Sequence, residues 1–294
     1  MFIITFLLKT IEKRIMKFDS VSLSCPICDE KLEKENKTLH CSNGHSFDLA
    51  KEGYVNLLLS NQKKSKNPGD NKLMSASRRE FLNSGAYFPL VERVTQLINL
   101  KYKNTTSPLS IVDAGCGEGY YMDAINKLVE NTTNFIGFDM SKDAIKLAAK
   151  RYKEIDFFVA SINNVPILST STDCIISIFS PINVKEFSRI LKDDGILITV
   201  TPNKKHLSGL ANIIYDKAKE HDSKIGNLEG EYFDLEKNDI LTFTLNLDNN
   251  KDIMNLFRMT PYYYSSSKEK SEKVNDLTTL ETTIDFEINI FRKK

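Results

Sequence analysis

Apolar residues recur along this chain in two rhythms. From about residue 109 onward, short apolar runs alternate with segments of helical spacing. LSIVDAG (109–115), NFIGFDM (134–140), DFFVAS (156–161), DCIISIFSP (173–181) and GILITVTP (195–202) have the length and continuity of buried strands. Between them, YYMDAINKLVE (120–130), SKDAIKLAAKRY (141–152) and VKEFSRILK (184–192) place apolar side chains three and four residues apart, which predicts helices, with Ser141 as an N-cap. Strands alternating with helices predict a parallel, doubly wound sheet. Two later segments, DILTFTLNLD (239–248) and TIDFEINIF (283–291), alternate apolar and polar residues and predict an antiparallel pair at the sheet edge.

Upstream the rhythm breaks. MSASRREFLNSG (74–85) has helical character, with Gly85 as its stop, and Pro68-Gly69-Asp70 predicts a turn before it. The apolar run 2–8 is too short to span a membrane, and neither a basic stretch before it nor a small-residue cleavage site after it marks a signal peptide. These breaks divide the chain into an extension or disordered segment (1–19), a small cysteine-bearing domain (20–60), a basic linker and helix (61–90) and a large α/β domain (91–294). Net charge is only +1 over 294 residues, so any electrostatic footprint must be local. Between Asn61 and Arg79 there are six basic residues (Lys63, Lys64, Lys66, Lys72, Arg78, Arg79) against one acid, Asp70. Such a stretch suits either phosphate contacts or a solvated loop.

Cysteines add chemistry to the small domain. Cys25-Pro-Ile-Cys28 is followed after twelve residues by Cys41-Ser-Asn-Gly-His45. Three thiolates and one imidazole are a donor set that zinc takes tetrahedrally, and four protein ligands leave no open position, so the site is structural. Asn43 and Gly44 supply a turn that tolerates positive φ. His40 competes as the fourth ligand, but His45 fits the knuckle better. A ribbon of about 40 residues has little core, and zinc contributes roughly 10–16 kcal/mol in such domains. Clustered cysteines without an export signal indicate a reducing compartment, the cytoplasm.

The glycines narrow the large domain. Asp113-Ala-Gly115-Cys-Gly117-Glu-Gly119 lets the backbone turn tightly from strand to helix and approach a ligand closely. An acid, Asp139, closes the next strand, where a carboxylate can accept hydrogen bonds from ribose hydroxyls. An NAD site prefers G-x-G-x-x-G and carries no leading acid. Together with the antiparallel edge pair, this predicts a class I methyltransferase fold, a Rossmann-like, mostly parallel seven-stranded sheet, with S-adenosylmethionine as methyl donor. Cys116 reads as a buried small hydrophobe.

The ribbon, HSFDLAKEGYVNLLL, NPGD, SRREFLNSGAYFPL, DAGCGEGYY, DMSKDAIKLAAKRY, VTPNKKHL and MTPYYY follow one another in order. Over roughly residues 22 to 290 this succession closely resembles the bacterial 23S ribosomal RNA guanine-N1 methyltransferases of the RlmA type. The resemblance implies methylation of guanine N1 in a hairpin loop of 23S rRNA, one structural zinc, a ribbon that helps to recognise RNA, and no membrane partner; it leaves a homodimer open. It also implies cofactor contacts from Tyr87, Gly117, Glu118 and His206, beside Asp113, Gly115 and Asp139. Taken alone, Tyr87 reads as a core aromatic and His206 as a helix cap. Two departures stand out. Ser77-Arg78-Arg79 replaces the family's ARR, and residues 167–183 match loosely, although Phe179, Ser180 and Pro181 should face the target base. Tyr262, Tyr263 and Tyr264 are either base-stacking aromatics or a strand-edge cluster. The catalytic base is not legible. A catalytically silent RNA-binding protein and a small-molecule methyltransferase are the competing functions. The intact Asp113, glycines and Asp139 oppose the first, and the ribbon and basic linker oppose the second.

Overall fold

The computed structural model describes residues 18, 22–62, 71–215, 228 and 230–294. The apolar run 2–8, Lys63, Lys64, Lys66 and the turn at 68–70 lie outside the described residues. Of residues 1–19 only Phe18 is described; it is buried, and its N–H donates to Asp156 Oδ2 at 2.9 Å.

Three short strands, β1 (Glu33–Glu35), β2 (Thr38–His40) and β3 (Ser46–Asp48), form an antiparallel sheet in the cysteine-bearing segment. The large sheet comprises β4 (Val55–Asn56), β5 (Leu109–Ala114), β6 (Thr133–Asp139), β7 (Asp156–Val159), β8 (Thr172–Ile178), β9 (Leu191–Pro202), β10 (Phe233–Leu247) and β11 (Leu280–Lys293). Its order is β10-β11-β9-β8-β5-β6-β7-β4. Strands β4 to β9 run parallel, while β11 pairs antiparallel with both β9 and β10. The seven expected strands are all present. The eighth, β4, comes from the YVN of the upstream segment and lies parallel to β7, with Val55 opposite Phe158.

Strand periodicity sorts the core into two layers. Ile111, Cys174, Ile176, Ile196 and Ile198 point to one face, where they meet Leu90, Val94, Met122, Ile145 and Phe257 from the helices. Val112, Ala114, Ile136, Ile175 and Leu197 point to the other, where they meet Phe187 and Ile190 together with Leu23, Leu32, Leu39, Cys25 and Cys41. The cysteine-bearing segment therefore shares its core with one face of the large sheet. Backbone bonds from Ser24 N–H to the Pro166 carbonyl (3.0 Å) and from Leu168 N–H to the Ser22 carbonyl (2.8 Å) stitch it there.

The helices that matter for the site begin and end as the sequence dictates. Helix α1 (Lys72–Asn83) is capped by the Asn71 side chain, which accepts from the Met74 N–H, and it gives way to Gly85 at φ +84°. Helix α2 (Phe88–Lys101) buries Leu90, Val91, Val94, Leu97 and Ile98, an apolar stripe at helical spacing. Helix α3 (Tyr120–Leu128) follows the glycine run, and α4 (Lys142–Arg151) starts from Ser141, whose hydroxyl accepts from the Ala144 N–H. Helix α5 (Val184–Ile190) and α6 (Ser208–Ile214) flank β9 in sequence. Helix α7 (Asn250–Arg258) packs on α1, and α8 (Pro261–Ser265) and α9 (Lys268–Asn275) complete the insertion between β10 and β11. The tyrosine run 262–264 is thus helical rather than part of a strand edge, because Pro261 sits at the helix start, where a missing N–H costs nothing.

Candidate functional site

Four ligand atoms converge in the small sheet. Cys25 and Cys28 sit on a turn before β1, Cys41 and His45 on the turn between β2 and β3. That second turn needs Gly44 at φ +82°. Cys41 Sγ lies 3.4 Å and Cys25 Sγ 3.6 Å from His45 Nδ1, and Cys28 and Cys41 Sγ are 3.6 Å apart. All four ligand atoms lie within 4.8 Å of one another. Donors about 2.0–2.3 Å from one tetrahedral ion stand roughly 3.4–3.8 Å apart, so the set fits zinc. His40 lies on β2, outside the cluster. Hydrogen bonds from Asn43 and the Glu30 backbone hold the Cys28 thiol down to about 6, which favours the thiolate a metal needs. Burial pushes the Cys25 thiol up to about 11, a tendency that a cation among the ligands opposes.

The glycine run lies at the carboxyl end of β5, where the sheet order turns from β6 on one side to β8 on the other. Such a switch point opens a crevice beyond the strand ends. Gly115, Gly117 and Gly119 all have positive φ (+80°, +54° and +79°), which lets the chain turn directly into α3. A side chain at Gly115 would run into Ser180 Cβ at 2.5 Å, so the Phe179-Ser180-Pro181 turn closes directly on this loop. Ser180 Oγ donates to the Ala114 carbonyl at 2.5 Å and fixes that closure.

Two carboxylates flank the turn in contrasting states. Asp139 accepts from the Gly117 N–H (3.0 Å) and from the Ser141 N–H (2.7 Å), so one oxygen braces the glycine loop and the other the start of α4. Asp113 is buried. Burial, with a smaller contribution from the Asp139 charge, pushes its carboxyl up to about 7. Cys116 is buried against Gly137, as its reading as a small hydrophobe requires.

A chain of ring contacts runs from the glycine run to β11. Tyr120 and Tyr121 meet edge-on with centroids 5.2 Å apart, Tyr121 lies 6.2 Å from Phe179, and Phe179 lies 5.2 Å from Phe286. Phe286 in turn touches Tyr87 (5.1 Å) and His206 (4.8 Å). Tyr87 is buried just ahead of α2, edge-on to Phe81 as well. Burial raises the Tyr87 and Tyr121 hydroxyls well above their usual range, so both stay protonated at neutral pH. His206 Nδ1 accepts from the Asp285 N–H at 3.3 Å, which places the ring proton on Nε2. Phe179 differs from its neighbours: it is 41% exposed and holds φ +55°, a strained conformation for a non-glycine residue.

The sequence-predicted residues thus fall into groups. Asp113, Gly115, Gly117, Glu118 and Asp139 lie on one turn and its neighbouring strand end, while Tyr87 and His206 meet 6.3 Å apart across Phe286. Glu118 makes a bidentate ion pair with Arg79 of α1, with contacts of 2.6 and 3.0 Å. Arg78 donates to the Met259 carbonyl at the end of α7. Sequence reasoning counted both arginines as charge and assigned them no partner, and it missed Phe286. The alternation of TIDFEINIF marks Phe286 as inward-facing, which was the available signal.

The zinc-ribbon family described as "RlmA, N-terminal" matches residues 23–66, and a methyltransferase-domain family matches residues 105–259. A Bacillus subtilis protein provisionally named a 23S rRNA (guanine-N1)-methyltransferase is 32% identical over 280 residues, covering 92% of this chain and 96% of the relative. The Streptomyces fradiae 23S rRNA (guanine(748)-N1)-methyltransferase is 33% identical over 230 residues, covering 77% and 80%.

Proposed function

Because the chain belongs to the family of 23S rRNA (guanine-N1)-methyltransferases with an RlmA zinc ribbon, we propose that it methylates N1 of a guanine in a hairpin loop of 23S rRNA, using S-adenosylmethionine. The observation that carries this reading is the glycine turn at the switch point, braced by Asp139 and facing an exposed aromatic ring. Bound S-adenosylmethionine supplies an electrophilic methyl group on a sulfonium. Asp139 accepts from the Gly117 and Ser141 N–H groups, and a carboxylate at this strand end can accept from the ribose hydroxyls. Gly117 leaves open space in which a ligand can approach the backbone. Asp113 keeps a buried carboxylate beneath the same turn. Tyr87 and His206, 6.3 Å apart, would close the far wall.

Guanine N1 is reached only when the base leaves its stack, which costs a few kcal/mol and least in a loop. An aromatic platform returns roughly 1–3 kcal/mol per stacked base. Phe179, exposed and held at the mouth of the crevice by the Ser180–Ala114 bond, supports that role. The ribbon's three thiolates and imidazole hold zinc structurally. The reading places the enzyme in the cytoplasm with its ribosomal substrate. No helix among the described residues is long and apolar enough to cross a membrane.

Primer extension on 23S rRNA tests the reading. N1-methylguanine blocks Watson–Crick pairing, so RNA from cells with the gene should show a stop that a deletion strain lacks. The stop should return with the wild-type gene but not with Asp139→Ala. Identical profiles in all strains would remove the RNA assignment.

A further inference from the structure

Helix α1 presents two faces to different neighbours. Arg78 and Arg79 point toward the end of α7 and the glycine loop, as described. Residues Leu73, Ala76, Ser77 and Glu80, one helical turn apart, face α7 across a cleft of about 300 Å³. From α7 the cleft receives Lys251, Asn255 and Arg258. No named site residue of the methyl-transfer crevice lines it.

The cleft carries more donors than acceptors. Its one carboxylate, Glu80, is already committed, accepting from Lys251 Nζ at 2.9 Å and from Asn255 Nδ2 at 3.2 Å. Hydrogen bonding to Lys251 and Asn255 accordingly holds the Glu80 carboxyl below its usual range. Arg258 has no such counterpart. Its Nε is buried, and no acceptor among the described residues reaches it. A guanidinium nitrogen withdrawn from water without an acceptor is unfavourable, and a planar fork of donors suits phosphate oxygens above other anions.

The position of the cleft also fits a nucleic acid. Arg258 is followed by Met259, whose carbonyl receives Arg78, and then by the tyrosines of α8. The Arg78 charge is felt by both Tyr87 and Tyr121 in the crevice. At the other end of α1, Asn71 Nδ2 donates to Tyr264 Oη at 2.6 Å. The cleft and the crevice therefore share α1 as a wall, so a strand that delivers a base to one can lay its backbone along the other.

We infer that the α1–α7 cleft binds a backbone phosphate of the substrate RNA, with Arg258 as the principal donor and Lys251 shared between that phosphate and Glu80. This rests on the RNA reading above. The test measures binding of a 23S rRNA hairpin to the full-length zinc-loaded protein across a series of KCl concentrations. S-adenosylmethionine affinity is measured in parallel. Arg258→Gln should weaken RNA binding on the order of 10-fold at fixed salt and flatten the log–log salt slope by about 0.7–0.9. It should leave cofactor affinity unchanged. Glu80→Gln releases Lys251 and should tighten RNA binding several-fold, a gain that a misfolded variant cannot mimic. Inorganic phosphate should compete with RNA more weakly against Arg258→Gln than against the wild type. If Arg258→Gln matches the wild type in affinity and slope while the wild type methylates 23S rRNA, the cleft assignment is overturned and the function stands. If the wild type neither binds nor methylates the RNA, the function itself falls.

Discussion

The zinc ribbon and the glycine turn are both set by a handful of residues at fixed spacing, yet they are held by opposite means. In the ribbon, three strands of three residues each have little core of their own, since Leu32 and Leu39 pack into the layer shared with the large sheet, and Cys25, Cys28, Cys41 and His45 tie its two turns together. The glycine turn contributes almost no side-chain packing of its own. It is held by the strands behind it, by Gly115 and Cys116 N–H bonds to the Phe138 carbonyl, and by the bonds of Asp139 to Gly117 and of Ser180 to Ala114. One region is organised by its ligand set, the other by its scaffold. Removing a ligand atom should therefore disorder the first as a unit, whereas damage to the second should change binding and leave the fold intact.

The largest effect should come from the ribbon. Cys41→Ser, or chelation of the metal, forfeits a zinc contribution of roughly 10–16 kcal/mol. Zinc content should fall to zero and limited proteolysis should cut within residues 29–45, while calorimetry still detects S-adenosylmethionine binding. Loss of cofactor binding together with zinc would break the comparison. Next comes Asp113. Its carboxyl sits near 7 in the fold against about 3.9 in an unfolded chain, so the folded state favours the protonated form. The sign follows: stability is full below about pH 4 and declines as pH rises to about 7, by up to about 4 kcal/mol. Asp113→Asn should raise the melting temperature of the cofactor-free protein at pH 8 and leave it nearly unchanged at pH 4.5. Equal shifts at both pH values would show that the carboxyl titrates normally.

Asp139→Ala removes two charge-assisted hydrogen bonds from Gly117 and Ser141, together worth about 3 kcal/mol. Cofactor affinity should drop about 100-fold by calorimetry with zinc content intact. The smallest effect is expected at Arg79. Its bidentate pair with Glu118 is partly exposed, so Arg79→Met should cost about 1 kcal/mol and 2–4 °C in Tm. Pairing it with Glu118→Gln should recover part of that loss. A larger penalty in the double variant would mean that Glu118 is needed for something other than Arg79.

The two regions also differed in how far the sequence revealed them. Ligand spacing in the ribbon and the D-x-G-x-G-x-G turn are local, and local geometry follows from residue type: Gly44 and Gly115 occupy φ values that other residues resist. Periodicity likewise exposed the strands and the helices with apolar stripes. Partners distant in sequence were hidden. Arg79 and Glu118 are 39 residues apart and meet only because α1 packs over the glycine loop. Tyr87, His206 and Phe286 come together from three separate elements. Strand β4 is two residues long, too short for any alternation to show, and it pairs with residues a hundred positions away.

That short strand has a consequence for solubility. The opposite border of the large sheet, β10, is long but carries Glu236, Lys237, Asn238 and Asp239, charges and amides that discourage another chain from pairing with it. Strand β7 is DFFV, and its outer hydrogen-bonding row is covered by Leu57, whose N–H donates to the Val159 carbonyl, and by Val55 and Asn56 of β4. Those two residues are anchored from the ribbon side, where Val55 bridges Leu49 next to β3. A ribbon stripped of its metal would free them and leave an apolar strand edge open to self-association. Metal starvation should then be visible as aggregation of an enzyme whose methyl-transfer site is still folded.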